Sequence, residues 1–501
     1  MRSRLEPILC LLPVLSRPCG EDSSRYTFTA RLPAFNSYLA SALSAHLDTT
    51  IAVAGGSLPR TAIVLAAGES RRLRALTAGR SKLLLRIGGL SLIERTVRTV
   101  TRIGVNRVIV VTGHDADRVA HAAAEAGAGR VMVVHAPEWE LGNGCSLAAA
   151  AGAVGEDPML LVLTADHLLD EAALRALLGA GGPAALVDLK PAPTVLAEGT
   201  RAVIEGGQVA ALGKNRGSNV VDCGAFCVPA TLFAFQAEAA AEGDYGLAGA
   251  LTHLASRIPL RAVPMPEGSY WHDIDTPADV AQARSKLRAS LSKASDGPVS
   301  RWLNRPISTR LTMLLAPLGP SPNLVTWLVW GLGLLAAGLL AGGHGVAGGL
   351  LAQATSIMDG VDGELARLQL RAGPRGALLD GVLDRLADSA ILAGMGAWAL
   401  STGVPAPWTV PLVAAAVTAS LLSMATKDRV AALGLRAGPD GRLGYLLGGR
   451  DGRLLLVAVF ALVREPAAAL AAVALTSGLT VLLRVWLVSR SNAGGRESTP
   501  G

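Results

Sequence analysis

Beyond about residue 323 the chain is dominated by apolar runs, near 324–342, 345–358, 376–400, 405–425, 447–463 and 466–488. A helix needs about 20 apolar residues to cross roughly 30 Å of hydrocarbon. The pattern therefore predicts six transmembrane helices, the second run being short because it ends in acids. The first 290 residues read as soluble by contrast, and 501 residues exceed one ordinary domain. The 50% hydrophobic content is thus an average over a soluble half and an all-α membrane half.

Four acids interrupt the apolar half: Asp359 and Asp362 in DGVDGELAR, then, after eight residues, Asp380 and Asp384 in GALLDGVLD. Spacings of three and four residues return to one face of a helix, so each pair points one way and two helices can converge four carboxylates. Carboxylates at membrane depth are costly unless paired or bound to metal. The set predicts a divalent-cation site.

The connections AGGHG and STGVPAP carry no Lys or Arg, whereas Arg367, Arg371, Arg375, Lys427, Arg429, Arg436, Arg442, Arg450 and Arg453 gather on the opposite side. By the positive-inside rule the acids, both termini and the soluble half face the cytoplasm of a multi-pass inner-membrane protein. The net charge of +7 follows from this topology and from phosphate binding, and needs no nucleic-acid partner. Five cysteines, Cys10, Cys19, Cys145, Cys223 and Cys227, show no metal-ligand pairing and fit a reducing compartment. Residues 1–58, where ILCLLPVL follows Arg2 and Arg4, imitate a signal peptide. Because a nucleotide-using domain follows, they read as an N-terminal extension.

From Thr61 the chain alternates β-branched runs with amphipathic helices: TAIVLAAG, SLIERTVRTVTRIG, VIVVTG, ADRVAHAAAEAG, RVMVVHAP and MLLVLTAD. This order predicts an α/β, Rossmann-like domain with a mainly parallel sheet covered on both faces over 59–283. Ligands in such sheets collect at the carboxyl ends of the strands. The first strand ends in LAAGESRRL, a small-residue turn whose backbone N–H groups can approach phosphates.

With Leu65, Ala66, Ala67, Gly68 and Arg72 in that turn, Lys82 in SKLLLRIGG, Asp166 in LTADH, and Asp273 and Asp275 in WHDIDTPAD, the soluble half resembles the sugar-phosphate nucleotidyltransferase family. Ser70 and Ser81 depart from the family's second turn glycine and its proline before the lysine. The resemblance implies that Asp166 with Asp273 or Asp275 holds Mg²⁺ or Mn²⁺ on the nucleotide, and that Arg72 and Lys82 offset charge on the transferring phosphate. It places Asn143, Gly144 and Ser146 at nucleobase and substrate, although Asn143-Gly144 also reads as a simple turn. Lys214 and Asp222 match stretches that line the substrate side.

The stretch ARSKLRASLSKASDGPVS reads as a linker at 284–300. SRWLNRPISTRL follows as an amphipathic segment on the membrane surface, with Arg301 and Arg305 as further candidates for a substrate phosphate.

The acid spacing, with Gly376 between the pairs, resembles the CDP-alcohol phosphotransferase family over roughly 300 to 490, within a membrane domain assigned to 301–490 and a tail at 491–501. The resemblance implies attack of a hydroxyl on a CDP-alcohol with release of CMP. Asp359, Asp362 and Asp380 are then principally metal ligands, while Asp384 is both ligand and candidate general base. Gly360 and Gly363 permit close approach. Arg367 meets a phosphate or, alternatively, snorkels at a helix end. Asp388 is assigned to structure or an arginine partner. Arg450 and Arg453 suit an acceptor that carries its own phosphate, topogenic arginines being the competing reading.

One half therefore makes a CDP-alcohol and the other consumes one. This fusion resembles the bifunctional family of di-inositol phosphate synthesis. The resemblance implies CTP and inositol 1-phosphate as substrates, CDP-inositol as intermediate, a phosphorylated di-inositol phosphate as compatible-solute precursor, and a homodimer formed through the membrane half. The alternative is synthesis of a CDP-head group for transfer to a lipid alcohol.

Overall fold

The structure, a computed structural model, describes residues 27–28, 58–69, 71–293, 296–435, 443 and 445–493. Ser70, Arg436, Arg442, Cys10 and Cys19 lie outside the described residues, as does nearly all of 1–58.

The alternating runs of the soluble half form the expected elements. Thr61–Ala66 is buried along its whole length, as a central strand covered on both faces must be. It pairs parallel with Arg107–Thr112 on one side and Met159–Thr164 on the other, and Val131–His135 extends the parallel set. The strand Thr27–Phe28 adds a parallel edge. Helix Leu92–Arg102 starts where Ser91 and Glu94 close a reciprocal capping box, and Thr276 with Asp279 does the same for Pro277–Ala289.

Beyond Met159–Thr164 the sheet departs from the parallel expectation. Val221–Pro229 pairs antiparallel with Met159–Thr164, Arg201–Glu205 and Ala184–Asp188, and the last of these pairs with Arg261–Pro264, which joins Gln208–Gly213. The antiparallel end thereby closes back on itself, and the sheet is mixed. The βα periodicity ends near residue 178, and antiparallel strands joined by short turns such as Gly206-Gly207 take over.

Helices Pro322–Ala341, Gly345–Leu368, Pro374–Ser401, Ala406–Ala432, Arg450–Leu462 and Pro466–Ala493 follow in the second half. Among the described residues three are long and apolar enough to cross a membrane: Pro322–Ala341, Ala406–Ala432 and the Pro466–Arg490 portion of the last. The second apolar run does not stop at its acids; one 24-residue helix continues through them to Leu368. The fifth begins at Arg450 and has 13 residues. Along 301–315 polarity is inverted relative to a soluble helix. Asn304, Ser308, Thr309 and Thr312 point inward, while Trp302, Leu303, Ile307 and Leu314 are exposed.

The described residues of the expected linker make contacts with the helical half. Helix Pro277–Ala289 runs into it, and Asp296 accepts from Arg305 through both carboxylate oxygens at 2.9 and 3.0 Å. Arg305 also donates to the fully buried Glu364 at 2.6 Å, and Arg367 donates to the Leu291 carbonyl at 2.9 Å. One apolar core is continuous across the halves, joining Ile87 and Leu92 to Val361, Leu365 and Leu368.

Candidate active sites

The first site lies at the carboxyl ends of Thr61–Ala66 and Met159–Thr164, on a cavity of about 550 Å³. A short antiparallel ribbon builds its floor. His167–Leu169 pairs with Trp271–Asp273, with Asp273 opposite His167. Gly224, at φ +69°, lies under this ribbon where any side chain would run into Thr164 and His167.

Asp166, His167 and Asp273 each offer an atom, all within 4.8 Å of one another. His167 Nδ1 faces the Cys223 carbonyl at 2.8 Å, which leaves Nε2 toward Asp273 at 3.7 Å, beyond hydrogen-bond distance. Asp273 Oδ1 is buried without a hydrogen-bond partner among the described residues. Two carboxylates, one of them with an orphaned oxygen, and an imidazole nitrogen fit a divalent cation. His167 was not legible from the sequence. It directly follows Asp166, and neighbours on a regular strand point to opposite faces. The turn at 165–166 breaks that alternation and brings both to one side.

Asp275 stands outside this trio and is held by cations. Lys82 Nζ approaches Asp275 at 2.5 Å and Asp166 at 3.0 Å, and Arg72 Nη2 donates to Asp275 at 2.6 Å. Arg72 also pairs with Glu198. Burial pulls the Lys82 ammonium down, but Asp166, Asp275 and Asp273 outweigh it and hold its pKa well above the usual range. Burial likewise opposes ionisation of Asp166, yet Lys82 and His167 keep its carboxyl well below the usual range. Asp273 is pushed up to about 6 by burial and by Asp166 and Asp275. His167 is raised: its burial is outweighed by Asp273 and Asp166.

Leu65, Ala66 and Ala67 are buried, whereas Gly68 is exposed with open space where a Cβ would project. Ser81 holds the lysine segment by accepting from Leu83 N at 3.3 Å and donating its own N–H to Asp115 at 3.1 Å. Asn143, Lys214 and Asp222 line the cavity. Asn143 Oδ1 accepts from Leu247 N at 2.8 Å, and burial raises Asp222. Gly144 and Ser146 do not line it. Gly144 is buried against Gln236 and Tyr245, and Ser146 is 2% exposed inside the helix Asn143–Ala149.

The second site joins Gly345–Leu368 to Pro374–Ser401, both packed on Pro322–Ala341. Asp359, Asp380 and Asp384 bring carboxylate oxygens within 4.8 Å of one another. Asp380 Oδ1 is buried without a hydrogen-bond partner among the described residues. Three hard oxygen donors with one unanswered oxygen suit Mg²⁺ or Mn²⁺. Asp362 is not part of the trio: it is 4% exposed and accepts from Thr326 Oγ1 at 2.6 Å.

Arg450 reaches into the acids, pairing with Asp359, with Asp384 at 3.0 Å and with Asp388 at 3.2 Å. Arg453, 2% exposed, donates to Asp388 at 2.9 Å and to the Gly448 carbonyl at 3.0 Å. That arrangement gives Arg453 a supporting place behind Asp388, and its donors are not directed to an acceptor phosphate. The same holds for Arg305, committed to Asp296 and Glu364, and in part for Arg367 with Leu291. Gly363 lies beside the Arg367 guanidinium, and Gly360 beside Arg305 and Ser308.

Residues 62–221 match the MobA-like NTP transferase domain family. A protein of Rubrobacter xylanophilus named "Bifunctional IPC transferase and DIPP synthase" is 37% identical over 436 residues, covering 86% of this chain and 97% of the relative. One of the same name from Aquifex aeolicus is 31% identical over 433 residues, covering 85% and 98%. Among solved structures, the inositol-1-phosphate CTP transferase from T. maritima aligns at a TM-score of 0.42 and 20% identity, over 48% of this chain and 100% of that one. Identity of this level over nearly the whole length of both relatives extends through both acid sites, and the chain belongs to the family of bifunctional IPC transferases and DIPP synthases.

Proposed function

We propose that the chain performs two consecutive phosphoryl transfers. In the first, a phosphate oxygen of inositol 1-phosphate attacks the α-phosphorus of CTP, the bond to the β-phosphate bridge breaks, and pyrophosphate leaves with formation of CDP-inositol. In the second, a hydroxyl of another inositol 1-phosphate attacks the β-phosphorus of CDP-inositol. CMP leaves, the hydroxyl proton passes to Asp384, and the product is a phosphorylated di-inositol phosphate, a compatible-solute precursor. The observation that carries this reading is the relationship to proteins named for both activities along 86% of the chain. Two separate acid clusters, one in each half, support it.

In the first site Lys82 stays charged between its acids and Arg72 stands beside it, so both can offset charge on the α-phosphate and the departing pyrophosphate. The turn at Leu65–Gly68 offers backbone to the phosphates, and Asn143, Lys214 and Asp222 orient the alcohol phosphate in the cavity. In the second site Asp359, Asp380 and Asp384 would hold the cation, with Asp362 behind them on Thr326. Mg²⁺ or Mn²⁺, when bound, would neutralise phosphate charge in each site. Arg450 is then free to turn from the carboxylates toward the acceptor's own phosphate.

The domain bounds given above, six membrane helices, a cytoplasmic soluble half and a homodimer through the membrane half belong to the same reading. Incubating the protein with CTP and a panel of alcohol phosphates while following pyrophosphate tests the first step: inositol 1-phosphate is expected to react, and an inert inositol 1-phosphate beside a reactive alternative would overturn the substrate assignment.

A further inference from the structure

The helix that carries Asp359 and Asp362 ends at Leu368. A helix C-terminus leaves carbonyls without donors and presents the negative end of the helix dipole. The carbonyls of Leu365, Ala366 and Arg367 accept from backbone N–H groups of Gln369, Leu370, Arg371 and Ala372, while the Leu368 carbonyl and those just beyond the helix take their donors from the soluble half. Arg95, Arg98 and Arg102 recur at intervals of three and four residues, and so share one face of Leu92–Arg102. Arg95 Nη1 donates to the Leu368 carbonyl at 3.0 Å and Arg98 Nη1 to that of Gln369 at 2.9 Å. Arg102 Nη1 donates to Ala372 at 3.0 Å and to Leu370 at 3.3 Å.

The anchoring is fixed on its own side as well. Arg95 is 4% exposed, and its Nη2 donates to the Ile87 carbonyl at 3.0 Å. Arg86–Ile87 pairs antiparallel with Leu90–Ser91, and in their turn Gly89, at φ +85°, approaches so closely that a Cβ there would meet the Ala316 backbone. None of the three arginines is among the residues lining the cavity of the first site. Leu368 lies six residues beyond Asp362, less than two helical turns away.

We propose that Arg95, Arg98 and Arg102 are positioning residues for the membrane active site, holding the acid-bearing helix in register from the soluble half. The cytidylyltransferase half is then a structural part of the transferase site and not a tethered supplier of its substrate. The activity arm of the test rests on the transferase reading; the exchange arm does not.

The test uses the full chain with Arg98→Ala and Arg102→Ala together, compared with the parent and with Arg98→Lys/Arg102→Lys. Transfer from supplied CDP-inositol is expected to lose roughly ten-fold or more in kcat with KM little changed, because an ångström of misplacement at a reacting centre is costly. Pyrophosphate release from CTP stays at the parental rate, which also reports that the soluble half has folded. Hydrogen exchange accelerates in the segment 359–372, and the lysine pair restores both properties in part. Unchanged transfer, a parallel loss of both activities, or unchanged exchange would overturn the proposal. If the parent itself performs no transfer, the functional reading fails and exchange alone decides: acceleration supports the positioning role, and its absence removes it.

Discussion

Lys82 lies between Asp166 and Asp275, so its removal leaves two carboxylates facing each other and, on the proposed mechanism, takes away a cation that offsets phosphate charge. Lys82→Ala should reduce pyrophosphate release roughly 100-fold or more while transfer from supplied CDP-inositol continues. Asp384→Asn should do the reverse, so that CDP-inositol accumulates in a coupled reaction followed by chromatography. Arg453→Ala tests a different property. It leaves Asp388 buried with Arg450 as its remaining ion-pair partner, so the cost is that of one charged hydrogen bond, about 1.5–3 kcal/mol, and not that of an unpaired buried charge. The result expected is a lower thermal midpoint with the soluble half's activity intact below it. Individual acids were legible because carboxylates in apolar or strand-end sequence have few roles open to them. Their partners were not: Thr326 on Asp362 and Arg72 on Asp275 come from elements far away in the chain, and no local spacing announces them.

Helices and strands were legible wherever a periodicity of 3.6 or 2 persisted, as in Leu92–Arg102 and Thr61–Ala66. The segment 284–300 misled because Ser, Lys, Asp-Gly-Pro composition reads as a free linker, whereas its docking depends on Arg305 and Arg367. The Asp296 carboxyl tests that docking. Burial opposes its ionisation, but the Arg305 hydrogen bond and charge outweigh this and hold it below the usual range. A depressed folded pKa contributes stability above the unfolded value of about 3.9, and that stability is lost as pH falls through the folded value. Asp296→Asn should therefore lower the thermal midpoint at pH near 6. The gap to the parent should close as pH drops below about 4, and a gap that does not change with pH would contradict the ion pair.

At the scale of the molecule, the two halves share a core through Ile87, Leu92, Leu365 and Leu368, and the soluble half reaches the acid-bearing helix directly. A sequence shows two composition regimes and suggests two tethered bodies; their contact surface is invisible to it because arginines at a helix face read equally well as solvated charge. On the proposed function one chain both makes a CDP-alcohol and consumes it. Phosphorus NMR of the purified full chain with CTP, inositol 1-phosphate and Mg²⁺ tests this most directly. Pyrophosphate is expected first, then CMP in step with a water-soluble product carrying both a phosphodiester and a phosphomonoester. Pyrophosphate with no CMP, or CMP accompanied by a new phosphodiester signal that partitions into an organic extract, would contradict the proposed function.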